Sequence, residues 1–397
     1  MAEKNFILFD DDCRDHLLPL TFTRPVPEIR LGILTIREKW QRSLNSRPSY
    51  LSQQYLRKKF PLILKDSNWL INGSVLPDPR LVAQVLALQQ GEAIAENDLL
   101  VAACIASFDI TGNSLNTTEI IRDCKIAPPV SAIRSIRKLT DIFTKNGEAL
   151  RDDFKLITYK RRSAALYESN KITNRHHIFI EEGASVEFAY LNASQGPIYI
   201  GRNAEVMEGA MIRGPFSLGE EGVVKMGSKI YAPTSIGPNC KVGGELNNVI
   251  MIANSNKAHD GYLGNAVVGE WCNFGAGTNN SNLRNDYTFV KLYSYVEKRF
   301  ENTELQFCGL IMGDHSKCSI NTMFNTGTVV GVFANIFGTG FPRNFVPSFT
   351  WGGSKGFENY KIDKALEVAR RVMERREITL SEMDAEILSE VYNLENK

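Results

Sequence analysis

The sequence predicts three dissimilar parts: an α/β domain over residues 1–170, a parallel solenoid of very short strands over 175–350, and a helical segment over 357–397. Three observations carry this. Of 30 glycines, 25 lie between Gly183 and Gly356, with Gly32, Gly73, Gly91, Gly112 and Gly147 before them and none after. Within that stretch aliphatic residues recur with a period of six. Outside it the apolar residues form short runs or follow helical spacing. A chain of 397 residues with 43% hydrophobic content has room for two or three domains and is too apolar to be disordered.

In the first part, NFILFD reads as a buried strand ending in acid. A proline-bearing loop follows (Pro19, Pro25, Pro27), then helical spacing from about Glu28. PLILKD, WLI and DLLVAACI are further apolar runs, and DPRLVAQVLALQQGEA reads as an amphipathic helix closed by Gly91. LTDIFTKNGEALRDDFKLI reads as a later helix. Alternation of strands and helices suggests a layered α/β unit, whose ligand site belongs beyond the strand C-termini. The loop after NFILFD supplies Arg14 and Arg24 as candidates for bidentate phosphate binding and Asp11 as a candidate ligand for Mg²⁺. The bland alternative is a solvated loop with local ion pairs. Neither GxGxxG nor a Walker A sequence is present.

In the second part the repeat runs through Ile200-Gly201, Leu218-Gly219, Ile236-Gly237, Val268-Gly269 and Met312-Gly313, the first three aliphatic positions being 18 residues apart. Six fits neither strand alternation nor a helix. It fits a solenoid with three short strands per coil, aliphatic residues stacked inward and glycine at turns needing φ > 0. Small inward residues such as Ala204, Ala210, Cys240, Cys272 and Cys318 suit a narrow prism, which explains those cysteines without chemistry. The rhythm breaks at 247–264 and 279–306, and insertions in a solenoid often mark its binding face. In the third part, Ile362, Leu366, Ala369, Val372 and Met373 follow helical spacing, and Thr379 or Ser381 caps a second helix.

Several classes are excluded or disfavoured. A net charge of +1 argues against a broad grip on nucleic acid. With no apolar run of about 18 residues, no spanning helix is expected, and MAEKNFILFDDDC does not read as a secretory signal. The seven cysteines form no CxxC pair, and their spread suits reduced thiols in a cytoplasmic protein.

The stretch SNKAHDGYLGNAVVGEWCNFGAGTNNSN, residues 255–282, resembles the bifunctional N-acetylglucosamine-1-phosphate uridyltransferase / glucosamine-1-phosphate N-acetyltransferase family. The resemblance implies a left-handed parallel β-helix (hexapeptide repeat) with acyltransferase activity, after a truncated, divergent α/β sugar-nucleotidyltransferase-like domain. Carried over, His259 is the general base, an imidazole being suited to proton transfer near neutral pH. Asn282 lies near the amino sugar, while Arg213, Tyr262 and Asn273 bind and orient the sugar phosphate. Lys291 stands in for a later basic residue, and Gly275, Ala276 and Gly277 admit the acyl donor. Lys355 and Trp351 are candidate contacts for the donor's phosphate or adenine. The chain departs from the family at Asn247, where a phosphate-binding lysine is expected, and at Leu283, where a tyrosine is expected. The family's glycine-rich nucleotide loop is replaced by NFILFDDDCRDHLLPLTFTRP.

The leading expectation is thus an acetyl-CoA-dependent N-acetyltransferase acting on an amino-sugar phosphate in nucleotide-sugar biosynthesis, as a homotrimer. The alternatives are a sugar-1-phosphate nucleotidyltransferase using Mg²⁺ with UTP or dTTP, alone or as a second activity, and a non-catalytic trimeric scaffold or sugar-nucleotide sensor.

Overall fold

The structure is a computed structural model in which residues 4–106 and 115–396 are described. Its contacts divide the chain into two units: 1–29, 34–138 and 382–390 form the first, and 30–33, 139–381 and 391–397 the second.

The first unit is built on a six-stranded mixed sheet of β1 (Asn5–Phe9), β2 (Ser49–Leu51), β3 (Ser67–Asn72), β4 (Glu92–Glu96), β5 (Leu99–Ala106) and β6 (Lys125–Ala127). The order is β2-β1-β3-β5-β4-β6. β1 runs parallel to both its neighbours, and β5 is antiparallel to β3 and β4. Every residue of β1 is buried, as expected for a strand covered on both faces. Helix α1 (Cys13–His16) follows β1. The helical spacing expected from about Glu28 becomes helix only at α2 (Ile36–Leu44), because Thr35 and Glu38 form a reciprocal capping box there. α3 (Pro79–Ala87) is capped by Asp78, and the short α4 spans Thr117–Asp123. PLILKD forms no strand: Ile63 is 53% exposed.

The second unit begins with α5 (Leu139–Thr144) and α6 (Asn146–Thr158), two helices where the sequence suggested one. The remainder is the left-handed parallel β-helix, of about ten turns, that the repeat and the resemblance predict. Its first face stacks 190–192, 211–213, 229–231, 245–247 and 262–264. The second stacks 198–200, 216–218, 234–236, 249–251, 266–268, 311–312 and 329–330. The third stacks 205–206, 223–224, 241–242, 256–257, 273–274, 317–318 and 335–336. The inward residues form one continuous core that includes Ala204, Ala210, Cys240, Cys272 and Cys318.

The glycines serve two purposes where one was expected. Gly209 has φ +72, the turn conformation anticipated. Gly237 instead marks a close approach between coils: a Cβ there would lie 1.8 Å from Ile252 O. The expected break at 247–264 is also corrected. Glu245 pairs with Tyr262 and Ala253 with Glu270, so this stretch is an in-register coil of 17 residues. The second break is a true insertion, which Leu283 and Phe307 close at its neck and which holds an antiparallel hairpin of Lys291–Ser294 with Arg299–Asn302. After the last coils come α7 (Ile362–Glu374) and α8 (Glu382–Glu395), the latter directly after Ser381.

Candidate functional site

On the first face of the solenoid the backbone ladder changes character at Tyr262. Asn279 Oδ1 accepts from Tyr262 N (2.7 Å), and buried Asn280 accepts from Gly264 N (2.8 Å) and donates to Gly264 O (3.0 Å). Asparagine side chains replace strand-to-strand bonds here, so the next coil is set off by the length of a side chain. Around this step Asn282 Nδ2 donates to Tyr262 Oη (2.9 Å) and to Asn265 Oδ1 (2.7 Å). Asn282 sits at the neck of the insertion, its carbonyl accepting from Cys308 N (2.9 Å). Gly309 follows, where a Cβ would meet Gly264 O at 1.9 Å. Burial raises the Tyr262 phenol above its ordinary pKa, against hydrogen bonds from Asn247 and Asn282.

Tyr262 and Asn282, both expected from sequence, are therefore joined. Asn247, noted as a departure, belongs to the same cluster, and Asn265 was missed. Their trace in the sequence was the recurrence of asparagine around the repeat, including Asn279, Asn280 and Asn282. His259 lies exposed in the turn between strand Asn256–Lys257 and the strand that opens at Tyr262. Arg213 is exposed on the first face, paired with Asn192; the register places it beside Tyr231, which pairs with Asn247. Two ladder steps of about 4.8 Å thus separate the backbones of Arg213 and Asn247.

Other expected residues stand elsewhere. Asn273 is exposed on the third face, its Oδ1 accepting from Asn256 Nδ2 at 3.5 Å, so it is on a different sheet from Tyr262. Gly275, Ala276 and Gly277 form a turn packed on the next coil: a Cβ at Gly275 would lie 2.3 Å from Ile320 N, and Asn321 N donates to Ala276 O (2.7 Å). Lys291 lines a cavity of about 1210 Å³ together with Arg284, Phe300, Arg343 and Phe345. Lys355 is exposed in the turn between the strands Thr350–Gly353 and Gly356–Asn359.

In the first unit, the C-terminal end of β1 gathers a second polar cluster. Asp11 accepts from Asn72 Nδ2 (2.8 Å) and Cys13 N (3.0 Å) and is paired with Arg137, which also reaches Asp12 (2.5 Å). Burial pushes the Asp11 carboxyl up, but hydrogen bonds from Cys13 and Asn72 and the Arg137 guanidinium outweigh it and hold the pKa low. Arg14 is buried, its Nη1 paired with Asp15 (2.6 Å) and its Nη2 donating to Thr21 O (3.1 Å) and Tyr55 Oη (2.7 Å), while its Nε has no protein acceptor. Buried Arg24 donates to Leu20 O (3.2 Å). Arg137 and Asn72 were not singled out from sequence, since each lies far along the chain from the loop. Among the described residues no group of three or more His, Cys, Asp or Glu side chains stands ready for a metal, and the Asp11 carboxylate is engaged by protein donors.

Residues 6–162 match the family described as sugar nucleotidyl transferase. A stretch of 87 residues is 38% identical to the bifunctional protein GlmU of Methanocaldococcus jannaschii, covering 22% of this chain and 21% of that protein. A match of 93 residues is 32% identical to a bifunctional sugar-1-phosphate nucleotidylyltransferase/acetyltransferase of Sulfurisphaera tokodaii, covering 23% of each. The matches thus span less than a quarter of these relatives' length. A solved Arabidopsis UDP-N-acetylglucosamine acyltransferase is similar over 55% of this chain and 79% of its own, at 16% identity and a TM-score of 0.25.

Proposed function

We propose that this chain, a divergent relative of the GlmU-type bifunctional proteins, is an enzyme whose solenoid transfers an acetyl group from acetyl-CoA to the amine of an amino-sugar phosphate. The observation that carries this reading is the bond from Asn282 to Tyr262, which joins two residues of the resembled site across an insertion. With Asn247 and Asn282 donating to the phenol oxygen, the Tyr262 O–H is directed to a sugar oxygen. Arg213 meets the phosphate from its position on the same face. Asn273 and the turn Gly275–Gly277 stand nearer the donor's path along the third face, and Lys291 and Lys355 extend the basic surroundings.

In the reaction the amine lone pair attacks the thioester carbonyl, the new C–N bond forms and the C–S bond breaks. His259 takes the proton leaving the amine, the thiolate leaves as the coenzyme's thiol once protonated, and backbone N–H groups stabilise the oxyanion. A homotrimeric assembly and a cytoplasmic location belong to the same proposal; among the described residues no helix is long and apolar enough to cross a membrane.

The test is thiol release from acetyl-CoA across a panel of amino-sugar phosphates. His259→Ala is expected to reduce it by about 10²–10⁴-fold. No release with any acceptor sinks the reading, and undiminished release by the variant removes His259 as base.

A second reading adds to the first and rests on the family match over 6–162. The cluster beyond β1 would handle a sugar-1-phosphate and an NTP arriving with its own Mg²⁺. Arg14, with a buried Nε lacking a protein acceptor, and Arg24 are its phosphate-facing residues.

A further inference from the structure

The inward column of the third face runs Val206, Val224, Val242, Lys257, Phe274, Cys318 and Ile336. Six of these belong to the hydrophobic core of the solenoid. The seventh is a lysine that is 2% exposed. A buried ammonium loses its hydration, a penalty that an aliphatic residue would not incur at this position. Burial lowers the Lys257 pKa to about 8, opposed by the charge of Asp260. The coil has accepted a destabilising group in the interior of its repeat.

Its hydrogen bonds show what the charge holds. Lys257 Nζ donates to Gly243 O (3.1 Å), one coil back, and to His259 O (2.7 Å), two residues on. The other end of the same turn is fixed by Gly277 N, which donates to Asp260 O (3.1 Å). The turn therefore presents an exposed imidazole on a backbone tied down from inside the prism. A second lysine uses the same contact: Lys317 Nζ donates to His315 O (2.8 Å). There the histidine is buried and stacked between Trp271 and Phe333. The two sites separate this contact beneath a buried histidine from one that presents a side chain to solvent.

We propose that Lys257 is a positioning residue for acyl transfer: its core-held ammonium fixes the His259 carbonyl and thereby the direction of the imidazole. This rests on His259 being the base. A base must be held to within a fraction of an ångström, and misplacement by about 1 Å can cost on the order of 10²-fold in rate.

The experiment compares the full chain with Lys257→Met, Lys317→Met and His259→Ala. The readouts are kcat and KM for thiol release and amide hydrogen exchange over residues 255–262. For Lys257→Met the expected result is faster exchange in the His259 turn and a fall in kcat of at least about tenfold, with both KM values within about twofold. Lys317→Met should leave kcat within about twofold whatever it does to melting. Should Lys257→Met not fold, Lys257→Gln, which keeps a donor but no charge, is judged by the same criteria. The proposal is overturned alone if His259→Ala abolishes turnover while Lys257→Met keeps kcat, or if Lys257→Met and Lys317→Met both worsen kcat and KM to the same extent. Full activity of His259→Ala instead removes the base assignment, and the positioning role with it. If no acceptor is turned over, unchanged exchange in Lys257→Met overturns the anchoring on its own.

Discussion

Asp10, directly after β1, shows how a single side chain sets a pH dependence in the first unit. It is buried, its Oδ1 accepting from Val26 N (2.9 Å) and its other oxygen from the Ser52 hydroxyl. Burial raises its pKa from 3.8 to about 6, against the Ser52 and Val26 hydrogen bonds and the Arg14 charge. The folded state then holds a proton that the unfolded state has released between these two values. The stabilising contribution is complete below pH 3.8 and is lost as pH rises through about 6. A shift of this size corresponds to roughly 3 kcal/mol at 1.36 kcal/mol per unit. Asp10→Asn keeps an acceptor for Val26 without the charge. It should melt higher than the parent at pH 7 and close to it at pH 4.5, by thermal unfolding at the two pH values. A difference that is the same at both would show that the carboxyl is not the titrating group. Asp11, one residue on, is driven the other way by hydrogen bonds from Cys13 and Asn72 and by Arg137, so near pH 5 Asp10 is largely protonated while Asp11 is ionised.

At the scale of the element, the corners of the solenoid need a left-handed residue in every coil. Asn203, Glu221, Asn239 and Asn254 serve earlier, with φ between 52° and 56°, and Trp271, His315, Phe333 and Phe349 serve later, with φ between 51° and 61°. Asparagine tolerates this conformation, whereas an aromatic residue there costs of order 1–3 kcal/mol. Stacking offsets the cost: His315 lies on Trp271 at 6.3 Å and 15°, Phe333 on His315 at 4.7 Å and 6°, and Phe349 on Phe333 at 5.7 Å and 15°. Tyr360, just before α7, meets Phe333 edge-on, Tyr392 of α8 meets Phe349, and Arg376 lies over Trp271. Phe333→Asn relieves the backbone but empties the stack, so it should lower stability by about 3 kcal/mol, as for removal of a buried aromatic side chain. Glu221→Asn at an exposed corner should be neutral or slightly stabilising. Thermal unfolding of both decides it, and equal effects would refute the stack. The six-residue rhythm and the 18-residue coil were legible because inward positions admit only small or aliphatic residues. The aromatic corners were not, because their occupants answer to Tyr360 and Tyr392, distant in sequence. Nor could spacing show that 247–264 is a coil: a coil one residue shorter breaks the rhythm without breaking the ladder. At the Tyr262 cluster, the NNSN segment marked Asn282, but Asn265 reads as an ordinary turn residue; in the first unit, Arg137 meets Asp11 only through the fold of the sheet.

At the scale of the molecule, a net charge of +1 over 397 residues leaves no broad field to gather phosphate-bearing substrates. On the proposed function, binding comes from placed groups, and these fall into two sets, each within its own unit. Arg14, Arg24 and Arg137 belong to the first, and Arg213, His259, Tyr262 and Asn282 to the second. Each unit has its own apolar core, so a substitution in one set need not disturb the geometry of the other. If both readings of function hold, the two chemistries should therefore be genetically separable. Arg14→Lys keeps the positive charge but loses the planar fork that matches phosphate and that now meets Asp15 with one arm and Thr21 O and Tyr55 Oη with the other. It should cut pyrophosphate release from UTP or dTTP with a sugar-1-phosphate by about tenfold or more, for the loss of one charge-assisted bidentate contact, and leave thiol release from acetyl-CoA within about twofold. His259→Ala should do the reverse. Measuring both products from each variant checks this, with melting curves to show that each unit stays folded. A variant that depresses both activities together while remaining folded would mean that the two sets of residues serve a single reaction.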